Sequence, residues 1–515
     1  MTKKSFVGSA VILMMASFLV RIIGFIYRIY LSNLIGSEGM GLFQLISPVY
    51  SLIILTLTSG ISIAVSKMVA EQMAKGHRVN PHRITMCALG ITVSLGLVVS
   101  LMMFLFIDPI VNIVLKDSRT YYSMLFLIPC IPVISAASAL KGYFYGSQDV
   151  IPTACSQITE QIVRTGIVMT MASFLVNVGL EYACALATVG MAVGEISNLF
   201  VLVIVYKFKR GRSSKSTTTK GFMRKRAIVK GIMKISIPVS FNRFITSTMG
   251  TVEYILIPRM LLLGGLSYQN SIREYGKLTG MAMPLIFFPT LVTSALATTL
   301  VPAISEGISV KDYKTVNHRI SRSVQLTSML GFIFTVLFMN FSARIGDLVY
   351  HKEDIGYMLY LLSFAGIFIY LQQTLLGVLN GLGKQGISLR NSIFGYIIRI
   401  AFVIYCIPVY GIRGYIAGMI ASTICVCCLN IATVIKTTGM AINFRDWVLR
   451  PGLAAAVMLF IGKYIQEFFT IFNFSYTWGT ILGILGNILA SFSLMFVFGA
   501  FDRRETLRLF GFKKL

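Results

Sequence analysis

Charge is what this sequence has least of. Only 13% of its 515 residues are charged, against roughly 25% in an ordinary soluble protein. Acids are the scarcer sign, 19 Asp and Glu beside 46 Lys and Arg. No stretch is long or polar enough to make a separate soluble domain. The chain has only four histidines, and its eight cysteines (Cys87, Cys130, Cys155, Cys184, Cys406, Cys425, Cys427, Cys428) all fall in apolar segments. Cys425, Cys427 and Cys428 have no zinc spacing, so neither a metal nor another cofactor is expected. The thiols read as small buried hydrophobes. No glycine-rich phosphate loop is present, which argues against an ATPase. The outer loops expected below are too short for a carbohydrate-processing site, so an enzyme is not expected.

What is abundant is apolar length. Hydrophobic residues make up 56% of the chain, and mean hydropathy is +0.78. A helix needs about 20 mostly apolar residues to cross roughly 30 Å of hydrocarbon. Runs of that length recur, and they are continuous rather than alternating, which favours helices over barrel strands. The expected spans are 6–31, 43–66, 84–107, 121–140, 154–177, 182–206, 232–258, 279–304, 320–342, 356–379, 391–409, 414–435, 448–466 and 477–500. The first exceeds the ~7–15 residue core of a signal peptide and is read as a span. The expected fold class is therefore an all-α polytopic membrane protein of about fourteen spans.

The net charge of +27 would suggest nucleic acid in a soluble protein, but here it follows membrane topology, and no nucleic-acid partner is expected. With the N-terminus inside, and Arg322, Arg450 and Lys463 counted with the adjoining loops, 31 Lys and Arg fall inside, 9 outside and 6 within spans. The positive-inside rule then puts both termini in the cytoplasm of a cell-membrane protein. The inner loop Lys207–Lys230 carries ten basic residues and no acid. It reads as a topology anchor, with contact to anionic membrane lipids a weaker reading.

That loop divides a repeat. Thr58-Ser59, Glu71, His82-Arg83-Ile84, Gly142, Gly146 and Arg164 recur as Thr293-Ser294, Glu306, His318-Arg319-Ile320, Gly377, Gly381 and Arg399, always 235 or 236 residues on. A constant offset over more than 100 residues points to duplication. Six spans per half is even, so the halves are parallel. Carriers built this way commonly place substrate at the repeat interface and expose it alternately to the two sides. The expected organisation is an N-lobe 1–206, a basic loop 207–230, a C-lobe 231–436, and a tail 437–515 with two extra spans.

Charges inside spans are costly and are functional candidates by default. Arg21 and Arg28 stand two helical turns apart on one face, with Gly24 between them. Two guanidinium forks suit a pyrophosphate, which Arg binds bidentately, although Arg28 lies near enough the outer surface to snorkel. On the seventh span, Asn242, Thr246 and Glu253 share a face, with Arg243 beside it and Pro238 as a potential kink. Glu160 and Arg164 have the i,i+4 order of an intrahelical ion pair. Arg399 has Gly395 where Glu160 would repeat, and so needs another partner: Glu195, Glu253 or a ligand. Lys234 reads as snorkelling. The pairs Gly142/Gly146, Gly190/Gly194, Gly377/Gly381 and Gly414/Gly418 suit close helix packing but are common in membranes.

The run Arg21-x2-Gly24-x3-Arg28-x7-Gly36-x2-Gly39-x-Gly41, leading into Leu42-Phe43-Gln44-Leu45 and Pro48, resembles the start of the polysaccharide-transport and lipid II flippase branch of the MOP exporter superfamily. The likeness extends over essentially the whole chain. It implies two six-helix lobes around a cavity and the flipping of a lipid-linked saccharide pyrophosphate. For a sporulation member the cargo is a peptidoglycan precursor for spore cortex. It also implies basic cavity residues from the first span and from the start of the second half, here Arg21, Arg28 and Arg243. Two other readings stay open. A cation-coupled multidrug antiporter of the MATE type would use Glu195 or Glu253. A non-transporting scaffold would recruit envelope-synthesis proteins.

Overall fold

The computed structural model describes residues 6–75, 79–175, 179–213, 223–351, 353–471 and 475–500. Among these residues all regular structure is helical. The principal helices are α1 (Phe6–Ala74), α2 (Asn80–Leu105), α3 (Cys130–Gly146), α4 (Ile151–Leu175), α5 (Leu180–Ser213), α6 (Lys225–Leu263) and α7 (Tyr268–Gly276). They continue as α8 (Thr290–Ser309), α9 (Tyr313–Val349), α10 (Gly356–Gly381), α11 (Gln385–Tyr405), α12 (Ile412–Thr438), α13 (Arg450–Ile471) and α14 (Tyr476–Val497). The chain is an all-α polytopic membrane protein.

Ten described helices are long and apolar enough to span a membrane, or eleven if Ser118–Leu127 and Cys130–Gly146, bent by 41°, count as one. These do not by themselves reach the fourteen expected. Two of the expected spans, 154–177 and 232–258, correspond to α4 and α6, which have the length but are more polar than the ten. They are the helices that carry Glu160 and Arg164, and Asn242, Arg243 and Glu253. A third reason lies in α1. Its 69 residues would run roughly 100 Å if straight, several times the hydrocarbon thickness. Gly36, at φ 67° and ψ −176°, breaks it. A residue without Cβ takes that conformation without steric cost. The stretch 32–42, expected as a loop, is instead helix on both sides of a one-residue break.

The chain forms two compact units, Met1–Ile255 and Leu256–Leu515, the division falling inside α6. The core of the first unit joins Val65 and Val69 of α1, Ile84 and Ala88 of α2, Leu140 and Phe144 of α3, and Leu202 of α5. Ile228 and Ile232 of α6 pack into the same core. The core of the second joins Leu300 and Ile304 of α8, Ile320 and Val324 of α9, Leu375 and Leu379 of α10, and Val434 of α12. Most of these correspond at the sequence offset of 235 or 236.

The correspondence extends to backbone contacts. A Cβ on Gly142 would lie 2.8 Å from the Ser62 carbonyl oxygen, and one on Gly377 would lie 2.6 Å from that of Ala297. A Cβ on Gly146 would meet Val69 Cβ at 2.8 Å, and one on Gly381 would meet Ile304 Cβ at 2.9 Å. Each partner pair is again 235 residues apart. The helix ends match as well. Asp149 N–H donates to the Phe144 carbonyl at 3.0 Å, as Lys384 N–H does to Leu379 at 2.8 Å. Gln148 (φ 57°) holds the left-handed position that Gly383 (φ 70°) holds in the second copy. One helix-packing and capping scheme has been used twice.

The helices outside the repeat, α13 and α14, pack on α9. Met329 and Ile333 meet Ala454 and Met495, and Val336 meets Ala455 and Met458. Polar groups add to this joint: Asn340 Nδ2 donates to the Met458 carbonyl at 3.3 Å, and Gln466 donates to the Asn340 carbonyl.

The glycine contacts generate a prediction. Gly142→Val and Gly377→Val each press branched carbon onto backbone, and overpacking of this kind costs about 1–3 kcal/mol. Both variants should unfold at lower temperature in detergent. Gly166→Ala on α4, where nothing lies within 4 Å of the added Cβ, should leave the midpoint unchanged or raise it.

Candidate functional site

The polar residues of the first unit gather where small residues let helices approach. On α5, a Cβ on Gly194 would sit 3.0 Å from the Glu160 carbonyl oxygen, and one on Gly190 would sit 2.6 Å from Val168 Cγ2. The bare glycine face brings α5 against α4 and encloses the charges between them. Arg164 Nη2 meets Glu160 Oε1 at 2.6 Å, with both side chains largely buried. Asn198 Nδ2 donates to Glu160 Oε2 at 2.8 Å and to Glu195 Oε2 at 3.4 Å. Two carboxylates and one guanidinium are thereby held around a single fully buried amide. Tyr50, Cys130 and Lys141 lie within electrostatic reach of Glu195.

A second polar surface lies along α1. Arg21 is exposed, while Gly24 and Arg28 are half-buried. Gly24 faces α4: a Cβ there would lie 3.9 Å from Gln161 Oε1. Tyr27, buried beside it in sequence, is within electrostatic reach of Arg164. Tyr27 Oη, Gln161 Oε1, Arg164 Nε and Thr165 Oγ1 are buried atoms without a hydrogen-bond partner. Such atoms are uncommon and each calls for an explanation in the chemistry of the site. The arginine face of α1 thus borders the polar face of α4 that carries the ion pair.

On α6 the named residues separate by depth. Asn242 and Arg243 are exposed, and their carbonyls accept from the Thr246 hydroxyl at 3.2 and 3.1 Å. Glu253 is 1% exposed and sits eleven residues further on, about 16 Å along the axis. Nearby, the Thr251 hydroxyl donates to the Pro48 carbonyl at 3.0 Å, tying α6 to the proline-containing stretch of α1.

The second unit replaces charge with neutral contacts at the matching place. Gly395, the counterpart of Glu160, lies against Val426. Asn391 Nδ2 donates to Asn430 Oδ1 at 2.9 Å, both residues buried, and so joins α11 to α12 without an ion. Arg399 stands over the Tyr396 ring at 4.6 Å, a cation–π contact. Asn198, Gln161 and Tyr27 were not singled out from the sequence. The spacing of Asn198 three residues after Glu195 was the available signal, and it became readable only once Gly194 was seen to abut Glu160.

In the first unit an ion cluster closes the turn beside the Gly36 break. Arg119 contacts Glu38 Oε1 at 2.7 Å and Asp117 Oδ2 at 2.8 Å. Among the described residues no group of three or more His, Cys, Asp or Glu could hold a metal ion.

Residues 6–308 match the family model described as polysaccharide biosynthesis protein. Stage V sporulation protein B of Bacillus subtilis (strain 168) is 30% identical over 452 residues, covering 87% of both chains. A solved lipid II flippase in an inward closed conformation superposes with TM-score 0.69 at 15% identity, over 97% of this chain and 100% of that one. An inward-facing multidrug resistance MATE family transporter of the MOP superfamily gives 0.63 at 14% identity, over 82% and 98%.

The buried ion pair is testable by itself. Arg164→Gln leaves Glu160 uncompensated, a loss that costs about 3–5 kcal/mol in buried pairs. The thermal unfolding midpoint of that variant should fall well below that of the double variant Glu160→Gln/Arg164→Gln, which removes both charges.

Proposed function

The chain belongs to the polysaccharide biosynthesis protein family, and from that premise we propose that it flips a lipid-linked saccharide across the cell membrane by alternating access. The observation that carries this reading is the α1 face of Arg21, Gly24 and Arg28, bordered by a polar face of α4. Two permanent cations beside a residue without a side chain suit a diphosphate: the forks bind its oxygens, and the glycine leaves room for it. Tyr27, Gln161 and Thr165, with buried polar atoms to spare, supply neutral partners for a headgroup. The lipid tail stays in the bilayer, so the protein offers polar contacts to the headgroup alone.

The substrate in this proposal is a peptidoglycan precursor of the lipid II type, made for spore cortex. The sporulation protein named above supports the setting, and the lipid II flippase supports a fold suited to the task. The repeat halves 1–206 and 231–436 serve as the two bodies of the carrier, with Asn242, Arg243 and Glu253 contributed by α6. Both termini lie in the cytoplasm, and envelope-synthesis proteins are the natural neighbours. Residues Glu160, Arg164, Glu195 and Arg399 are candidates for coupling transport to an ion. The Glu160 and Glu195 carboxylates share the Asn198 amide beside Arg164, with Lys141 within electrostatic reach of Glu195, so that proton uptake by either acid changes the charge of the cluster. That arrangement also keeps the cation-coupled antiporter as a second reading.

The test is transport in vesicles reconstituted with fluorescent lipid II, measured as its exposure to an outside reagent. Arg21→Ala/Arg28→Ala should lower the rate. A hydrogen bond to a charged group is worth about 1.5–3 kcal/mol, so each arginine lost should cost roughly tenfold or more. Undiminished flipping by the double variant would overturn the arginine assignment, whereas no flipping by the unmodified chain, with drug export that is lost in Glu195→Gln, would move the reading to the antiporter.

A further inference from the structure

The second unit holds a cavity that the transport reading leaves unused. It measures about 380 Å³ and lies where α6 ends and α7 begins. Leu261, Leu266 and Ile412 form its apolar wall, and Asn270, Arg273, Glu274 and Lys277 its polar one. The wall is built by close backbone contact: a Cβ on Gly264 would lie 2.7 Å from the Pro408 carbonyl oxygen. Gly265 then turns the chain at φ 96°, and the Ser267 side chain caps α7 by accepting from Asn270 N–H.

The polar lining carries both signs of charge. Lys277 Nζ stands 3.6 Å from Glu274 Oε1 and 3.8 Å from Glu353 Oε2. Those distances are long for ammonium–carboxylate bonds, whose usual length is about 2.7–2.9 Å, so neither contact is a tight pair. Lys277 also opens a π-helical stretch, Lys277–Ala282, a widened turn of a kind that is frequent at functional sites. Exposed tyrosines stand at helix ends of this unit: Tyr268 opens α7, Tyr357 follows Gly356 at the start of α10, Tyr405 ends α11 and Tyr410 precedes α12. Arg413 lies over the Tyr357 ring at 4.8 Å. Tyrosines collected at the end of membrane helices mark the level of the lipid headgroups.

We propose that this cavity binds the headgroup of a membrane phospholipid that carries a phosphate and a primary ammonium, phosphatidylethanolamine in chemical class. The cations Arg273 and Lys277, with the Asn270 amide, take the phosphate. The Glu274 carboxylate accepts from the ammonium, and the acyl chains lie along the Leu261, Leu266 and Ile412 wall. A purely anionic headgroup meets that carboxylate there, and a trimethylated one has no N–H to give it. The volume sits at the low end of the ~300–1,000 Å³ typical of small-molecule sites, which admits a headgroup and leaves out an oligosaccharide.

Native mass spectrometry of the full chain in detergent, delipidated and then titrated, tests this. The probes are dioleoylphosphatidylethanolamine, dioleoylphosphatidylcholine, dioleoylphosphatidylglycerol and inorganic phosphate. One phosphatidylethanolamine should be retained per chain, about tenfold tighter than phosphatidylcholine, the worth of one charge-assisted hydrogen bond. Glu274→Gln should bring the two lipids level, and Arg273→Ala should weaken retention of both, with unfolding midpoints unchanged. Equal retention of all three lipids, preference for phosphatidylglycerol, displacement by inorganic phosphate alone, or unaltered retention in folded variants would each overturn the proposal. If a variant fails to fold, the ranking of lipids on the unmodified chain decides.

Discussion

Helices in lipid gain little by pressing leucine on leucine, because the acyl chains they displace are equally apolar. What holds them is backbone proximity, and here it depends on glycine. Gly142 and Gly146 lay α3 on the second half of α1, and Gly377 and Gly381 lay α10 on α8 in the same way. Gly190 and Gly194 do the same for α5 on α4. In the last case the tight contact has a second effect. It closes off the space in which Glu160, Arg164 and Asn198 meet, so that the packing contact and the buried ion pair are one arrangement. Enlarging either glycine would open the cluster as well as part the helices.

The duplication was followed by divergence at one level of the bundle. Both units keep the glycine contacts and the helix caps, down to the hydrogen bonds at residues 149 and 384. At the α4–α5 joint, however, the first unit uses two acids and an arginine, whereas the second joins α11 to α12 through two amides. An amide pair satisfies its own polar atoms and leaves no charge to manage. The scaffold is thus symmetric and the chemistry is not, with the carboxylates and the arginine pair on α1 all in the first unit.

Much of this was legible beforehand because it is periodic. Apolar runs reveal helices, and a constant offset reveals the repeat, whose packing proved the same in both copies. Other features were hidden for physical reasons. The 32–42 stretch looked like a loop because it is rich in glycine and polar residues, but a single positive φ at Gly36 was enough to break the helix. Asn198 drew no notice because an uncharged amide in a span costs little and is unremarkable until a carboxylate is found against it. Similarly, Glu253 shares a helical face with Asn242 by angle, and only the axial distance shows that they occupy different depths. The mixed-charge cavity at the start of α7 draws on α6, α7 and Ile412 of α12, separations that no local pattern reveals.

The single-residue break at Gly36 also fixes the heading of everything before it. From Phe6 to Ile35 the helix is uninterrupted, so the compass bearing of Arg21 and Arg28 is set by one pair of dihedral angles some eight residues beyond Arg28. Each residue of a helix turns the bearing by about 100°. Removing one residue between Arg28 and Gly36 would swing both guanidinium groups through that angle without altering their number, spacing or charge. The segment is a weathervane on a single pivot: its length in residues is as strict a requirement as the identity of its arginines.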